Sequence, residues 1–339
     1  MVPSITRLSL VCCALLAVAP RADAVLRVFD PPAVDSWLYP FAGLAGLRPS
    51  SPTFGAFATA GAFDERDAQA LFIFDTAPSI PAGRPPGAYL ITSARLILDR
   101  SPTNAWVYDP SYDGYRTYLA LENPGDPDQL PDTDAGRPME LYGVGYRLVG
   151  LDATTYDENA TPFSSGPGQR VRYAYANDFA GLADRDVSNN VLDRFDPTPF
   201  AIGAIPGATP GSTVSGAGTV EFAINPFSPT AVAYLRSRLA QGSVDLLATS
   251  LAPASQGGPA VYPVYLNKES GTGAATLELD VRIAACGDGL DNDADTRIDY
   301  PADPQCSFHS DNKEQPSSCG LFGIEMAGVW LALRRRRSA

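Results

Sequence analysis

Short apolar runs, broken by Pro and Gly, fill the middle of the chain. Runs rich in β-branched and aromatic residues are Val25–Phe29, Leu71–Asp75, Tyr89–Leu98, Ala105–Tyr108 and Leu141–Leu151. Arg170–Ala174, Thr219–Ile224, Val244–Leu251, Val261–Leu266 and Thr276–Ile283 follow. Alternation is clearest in the last, where Leu277, Leu279, Val281 and Ile283 share one face and Glu278, Asp280 and Arg282 the other. Short strands with turn signals between them predict an all-β sandwich. One segment has a helical period instead. Ser228 fits an N-cap, Pro229 fits the first turn, Val232, Leu235 and Leu239 form a stripe, and Gly242 supplies the stop. No strand–helix alternation repeats around it, so the helix interrupts a β fold.

The two ends have a different pattern. Arg7 precedes an unbroken apolar run, Leu8 to Ala19, and Ala22-Asp23-Ala24 has the small-x-small form of a cleavage site. The run falls short of the roughly 20 apolar residues of a membrane span, so 1–24 is expected to be a secretory leader. Cys12 and Cys13 lie inside it. At the other end Cys319-Gly320 opens a short apolar stretch, Leu321 to Leu333, closed by Arg334, Arg335, Arg336 and Arg337. The arginines stop translocation by the positive-inside rule. The stretch is short and carries Glu325, which points to transient anchoring by a hydrophobic helix rather than a permanent transmembrane helix. Motif, apolar segment and Arg cluster together resemble the sorting tails of Gram-negative bacteria: PEP-CTERM, GlyGly-CTERM and, nearest in its Cys-Gly start, MYXO-CTERM. That resemblance implies export to the cell surface, the outer membrane or the medium, with the export machinery and a membrane sorting protease as partners.

Composition narrows the body between these ends. The 339 residues carry a formal charge of −13 and are 45% hydrophobic, enough for a sizeable core. Setting the two ends aside removes Arg7, Arg21 and the four tail arginines against only Asp23 and Glu325, so the body is more acidic still. An acidic body excludes nucleic acid as the natural partner, because phosphate neutralisation needs a basic face. The single histidine, His309, excludes most zinc sites and most imidazole acid–base chemistry.

Cys286 and Cys306 are the cysteines left in the body. In an oxidising compartment they are expected to pair, closing a loop worth about 3 kcal/mol. Inside it, Asp291, Asp293, Asp295 and Asp299 take positions 1, 3, 5 and 9 of a calcium loop, with the Arg297 carbonyl at position 7. Asp288 adds a further carboxylate. Position 6, normally Gly, is Thr296, where a left-handed backbone costs about 1 kcal/mol or more. Position 12 is Ala302, with Asp303 one residue on. The segment resembles the D-x-D-x-D repeats of bacterial surface proteins and thrombospondin type 3 repeats. Two readings stay open: a Ca²⁺ loop, and a stapled, solvated acidic stalk.

The segments DERDAQALFIFDTAPSIPAG and YLITSARLIL, with the late order of F-x-I strand, helix, strand and TLELDV, resemble DNRLRE-type bacterial surface modules. That resemblance implies a jelly-roll sandwich related to carbohydrate-binding modules. Residues 100–215 depart from the pattern as an insertion. Within it Trp106, Tyr108, Tyr112, Tyr115 and Tyr118 cluster, interleaved with Asp109, Asp113 and Gly114. Aromatic faces beside carboxylates suit sugar stacking, so Trp106, Tyr108, Tyr112 and Tyr115 are glycan candidates; aromatic packing in a core is the competing account. Asp126, Asp128, Asp132 and Asp134 follow among Pro and Gly, as an exposed loop with room for a cation.

No catalytic constellation emerges. Asp64, Glu65 and Asp67 form the nearest carboxylate cluster and are expected on an acidic surface turn. The expected organisation is a leader (1–24), a jelly-roll-like sandwich (25–284) with the insertion at about 100–215, an acidic Cys-closed stalk (285–318) and a sorting segment (319–339). The expected function is a non-catalytic exported module that binds glycan or matrix or acts structurally. The alternative is a secreted glycan-cleaving enzyme using a carboxylate pair.

Overall fold

The computed structural model describes residues 25–39, 44–57, 65–159, 172–180, 185–254 and 260–314. The leader, Asp64, and the sorting segment with Cys319, Gly320 and Arg334 to Arg337 lie outside the described residues. Among the described residues no helix is long and apolar enough to cross a membrane.

The chain is all-β. Its strands are β1 (Val25–Phe29), β2 (Val34–Leu38), β3 (Ser50–Pro52), β4 (Gln69–Asp75), β5 (Tyr89–Arg100), β6 (Ala105–Val107) and β7 (Met139–Tyr146). They continue as β8 (Ala174–Asn177), β9 (Ala201–Ile202), β10 (Thr213–Ser215), β11 (Gly218–Ile224), β12 (Ser243–Ser250), β13 (Val264–Leu266) and β14 (Thr276–Ile283). Among the described residues two α-helices join them, a single turn α1 (Leu119–Glu122) and the longer α2 (Pro229–Gln241). The cap reading of α2 holds: the Ser228 side chain accepts from the Ala231 N–H, and Gly242 takes φ 88°.

Two antiparallel sheets face each other. In the first, β14 lies between β1 and β5, β11 pairs with the other edge of β5, and β13 and β3 extend its far end. In the second the order is β2-β4-β12-β7-β8, with β9 also on β7. The segment read as an insertion therefore supplies β7, an interior strand of the second sheet. A small ribbon of β6 and β10 stands apart.

The core lies between the sheets. Leu96 and Leu98 of β5, Val220 and Phe222 of β11, and Leu277 and Leu279 of β14 meet Phe72 and Phe74 of β4 and Leu246 of β12. The α2 stripe joins them through Ala231, Tyr234, Leu235 and Leu239. The outer face of the first sheet is open to water. There Arg95 bridges Glu221 and Glu278 across three strands, at 2.9 and 2.6 Å. The outer face of the second sheet is covered. Leu71, Ile73, Tyr142, Val144 and Leu247, with Leu38 of β2 beside them, pack beneath Ala153 and Val187, and β12 is buried along its whole length. Covering both faces of an antiparallel sheet requires every polar group between the layers to find a partner.

Candidate functional site

Three places carry the chemistry expected from the sequence. The first is the acidic loop. Cys286 and Cys306 form the expected disulfide. The loop docks on the sandwich through Ala284 N–H, which donates to the Ala88 carbonyl at 2.9 Å, and is closed on itself by Cys286 N–H, which donates to the Asp311 carbonyl at 2.9 Å. Asp291, Asp293 and Asp295 converge, each offering a carboxylate oxygen within 4.8 Å of the others. Their oxygens accept from loop amides: Asp295 N–H reaches Asp293 at 3.0 Å and Thr296 N–H reaches Asp291 at 2.9 Å. Arg297 N–H donates to Asp295 at 2.9 Å. Thr296 adopts φ 76°, the left-handed turn that position 6 demands. Asp299 does not join the cluster through the oxygen that accepts from Gly289 N–H at 2.7 Å, and burial raises its pKa. Glu314, absent from the sequence reading because it lies outside the Cys-closed segment, accepts from the Asn292 and Asp299 amides at 3.1 and 3.0 Å. It is buried and ties the loop's two arms together. His309 packs its ring edge against Tyr300.

The second place is the aromatic cluster, which divides. Trp106 is 3% exposed and Tyr108 is equally buried, both within the main core. The Tyr108 hydroxyl accepts from Ile205 N–H at 3.2 Å. Tyr112 is 41% exposed and donates to Asp196 at 3.3 Å. Tyr115 packs with Tyr118, Leu119 and Phe57. The four candidates therefore do not share one flat face.

One of them does border a cleft. A cavity of about 410 Å³ opens beside the β6–β10 ribbon, walled by Trp106, Val107, Thr213, Pro253 and Val261, with Asp132 and Arg137 at its polar side. Arg137 holds Asp113 at 2.7 Å and Asp132 at 2.8 Å, and its guanidinium stacks 4.3 Å above the Tyr118 ring. Trp106 Nε1–H is buried without a protein acceptor. The volume lies within the range of small-ligand sites, and the lining mixes apolar walls with a few polar groups.

The third place is the layer over the second sheet, where the carboxylates of a cleaving enzyme would be sought. Glu140 is fully buried and held by Arg66 and by the Tyr142 hydroxyl at 3.1 Å. Asp245 accepts from the Tyr146 and Tyr234 hydroxyls, each at 2.8 Å, and pairs with Arg238 at 2.8 Å. Glu65 and Asp67 correct the surface-turn expectation: both are 4% exposed. Glu65 accepts from the Val191 and Leu192 amides, and Asp67 sits 3.9 Å from Arg172. Alternation cannot show this, because their burial depends on a layer folded from distant sequence.

Burial raises the Glu65 carboxyl to about 7 against the amides that lower it. Burial likewise raises Asp35 to about 7, with neighbouring Glu269 adding to the rise. A raised carboxyl binds its proton more tightly when folded. Its stabilising contribution is complete below the unfolded pKa near 4 and is lost as pH climbs through about 7. Thermal unfolding should therefore occur a few degrees higher at pH 5 than at pH 8, and the Glu65→Gln variant should narrow that gap.

The chain matches no protein-family model and no curated protein.

Proposed function

We propose that this protein is an exported, non-catalytic β-sandwich module of jelly-roll type that binds a glycan or matrix polysaccharide in the cleft beside Trp106. The cleft is the observation that carries the reading. Its apolar walls suit sugar C–H faces, and the Asp132–Arg137 pair suits hydroxyls. The sorting-tail resemblance argues for display at the surface of a Gram-negative cell, by way of the export machinery and a membrane sorting protease. The Cys286–Cys306 disulfide fits an oxidising destination. Binding is favoured over cleavage because Glu65, Glu140 and Asp245 give their oxygens to internal donors and none of them lines the cleft. The acidic loop serves as the connecting stalk, with Ca²⁺ held by Asp291, Asp293 and Asp295.

A glycan array with the purified chain tests the reading. Val261 is 52% exposed at the cleft wall, so Val261→Trp fills the cleft without disturbing the core. At least a tenfold loss of the wild-type array signal is expected. A wild-type chain silent on the whole array, or a variant that binds equally well, refutes the glycan reading. Calcium titration of the Asp293→Asn/Asp295→Asn chain tests the stalk: one binding event present in the wild type should disappear.

A further inference from the structure

A second acidic convergence lies away from the stalk, behind the Arg137 side of the cleft. Asp109, Asp113 and Asp134 bring one carboxylate oxygen each within 4.8 Å of the others. Asp109 and Asp113 are buried and Asp134 is exposed. Gly136 makes the approach possible: at φ 111°, a Cβ there would stand 2.9 Å from the Asp109 Cβ and from the Val107 carbonyl oxygen. A bulkier residue would push the 132–136 loop, and Asp134 with it, off Asp109.

Two observations independent of the clustering, the unpartnered Asp109 oxygen and the cavity beside it, point to a cation, and the Ser111 geometry fits them. Asp109 is 2% exposed, yet its Oδ2 has no hydrogen-bond donor. An unpartnered buried carboxylate oxygen is costly unless a proton or a cation meets it. A cavity of about 200 Å³ is lined by Asp109, Ser111 and Asp134. The Ser111 hydroxyl touches both Asp109 Oδ1 and, at 2.8 Å, Asp134 Oδ2. A hydroxyl has one proton, so it can donate to only one of these oxygens; the other contact sets lone pair against lone pair.

Charge agrees. Four carboxylates, Asp109, Asp113, Asp132 and Asp134, meet in Arg137 one base, which pairs with Asp113 and Asp132. Asp109 and Asp134 are left to face the cavity. The sequence there, Asp109-Pro110-Ser111-Tyr112-Asp113-Gly114, spaces oxygen side chains at positions 1, 3 and 5 with Gly at 6, the order hard-cation loops use. We propose that Asp109, Ser111, Asp113 and Asp134 form a divalent cation site for a hard ion of the Ca²⁺ type. The bound ion neutralises Asp109 and Asp134 and fixes Asp113, which in turn holds Arg137 at the cleft. The site is independent of whether the cleft takes a glycan.

The test is calorimetric titration of the purified full chain, disulfide intact and stripped with chelator, with CaCl₂. The background is Asp293→Asn/Asp295→Asn, so that stalk binding does not contribute. One binding event is expected in that background. Adding Asp134→Asn, a change at an exposed position, should weaken it at least tenfold while circular dichroism stays unchanged. Adding Ser111→Ala should weaken it by a smaller factor. Absence of calcium binding at millimolar concentration in that background overturns the proposal, the extra Asp109 oxygen then meeting a shared proton only. Binding that survives Asp134→Asn unchanged overturns it as well.

Discussion

Replacing Glu140 by alanine is expected to destabilise the protein by about 3–5 kcal/mol, because it leaves the Arg66 guanidinium charged and unneutralised in the interior. Arg66 is 1% exposed. Besides Glu140 it donates to the Val187 carbonyl and to Asn190 Oδ1, each at 3.0 Å, and it lies over the Tyr142 ring. Those contacts fix its position but carry no compensating negative charge. Glu140→Gln keeps an acceptor of the same size and should lose less. The double variant Arg66→Met/Glu140→Leu removes both charges. It should recover most of the loss, short of the 1–3 kcal/mol due to the acceptors left on Val187 and Asn190. Urea unfolding of the four proteins gives the comparison, read from midpoints at unchanged slope. A loss below about 1 kcal/mol for Glu140→Ala would mean that water already reaches Arg66. The effect should also reach the cleft. Arg66 holds segment 187–190, Val191 packs on Tyr118, and Tyr118 lies under Arg137. If the cleft takes a glycan as proposed, weaker retention of it by the Glu140→Gln chain, at a temperature where the chain stays folded, would show that connection.

The sequence made some of this architecture legible and hid the rest for physical reasons. β14 and α2 stand out because each has one wet face and one dry face, so periodicity exposes them. Thr276–Ile283 alternates as expected, and the Ser228 and Gly242 caps sit where their chemistry requires. β2, β3, β9 and β10 escaped notice. They are short, and Ser50–Pro52 and Thr213–Ser215 are small and polar, held by pairing rather than by apolar character. β7 was expected to run to Leu151 but ends at Tyr146. Inside it Gly145 admits the Tyr175 ring, which would stand 2.4 Å from a Cβ at that position, so the strand is shaped by what packs on it. The third layer was invisible for the same reason. Nothing local says that Asp245, between two apolar neighbours, will be met by Tyr146, Tyr234 and Arg238. Of the aromatic candidates, Trp106 and Tyr108 are buried while Tyr112 is exposed, a division that spacing along the chain does not reveal. The acidic loop, where Asp291, Asp293 and Asp295 converge, was the most legible feature, since spacing along a short loop is a local property. Its Glu314 and the Asp109–Asp134 convergence needed the fold.

Removing the disulfide, with Cys286→Ala and Cys306→Ala together, is expected to cost about 3 kcal/mol in the chain-entropy account of a loop of this length. The two cysteines are 20 residues apart, so their bond restricts a sizeable unfolded loop. The loss should be local. Its amides bond largely within the segment: Tyr300 N–H to the Cys286 carbonyl, Cys306 N–H to that of Asp303, Asp311 N–H to that of Phe308. Contact with the sandwich includes the Ala284 N–H bond to Ala88, Gly287, whose Cβ position lies 2.5 Å from the Ala88 Cβ, the His309 Cβ against Gly87, and the Arg84 guanidinium over Gly289. The main core contains neither cysteine. A segment held by so few apolar contacts opens as its own unit. Amide exchange at Tyr300, Asp303 and Cys306 should therefore quicken by about a hundredfold in the double variant, while Leu246 and Phe72 keep their protection. Equal loss of protection in β4 and β12 would instead make the loop part of the sandwich's cooperative unit. Saturating Ca²⁺ should slow the exchange again if Asp291, Asp293 and Asp295 bind it, because an ion held only by the closed loop shifts the opening equilibrium by mass action. The disulfide and the ion would then hold the same segment, one by limiting the open chain and the other by neutralising the folded one.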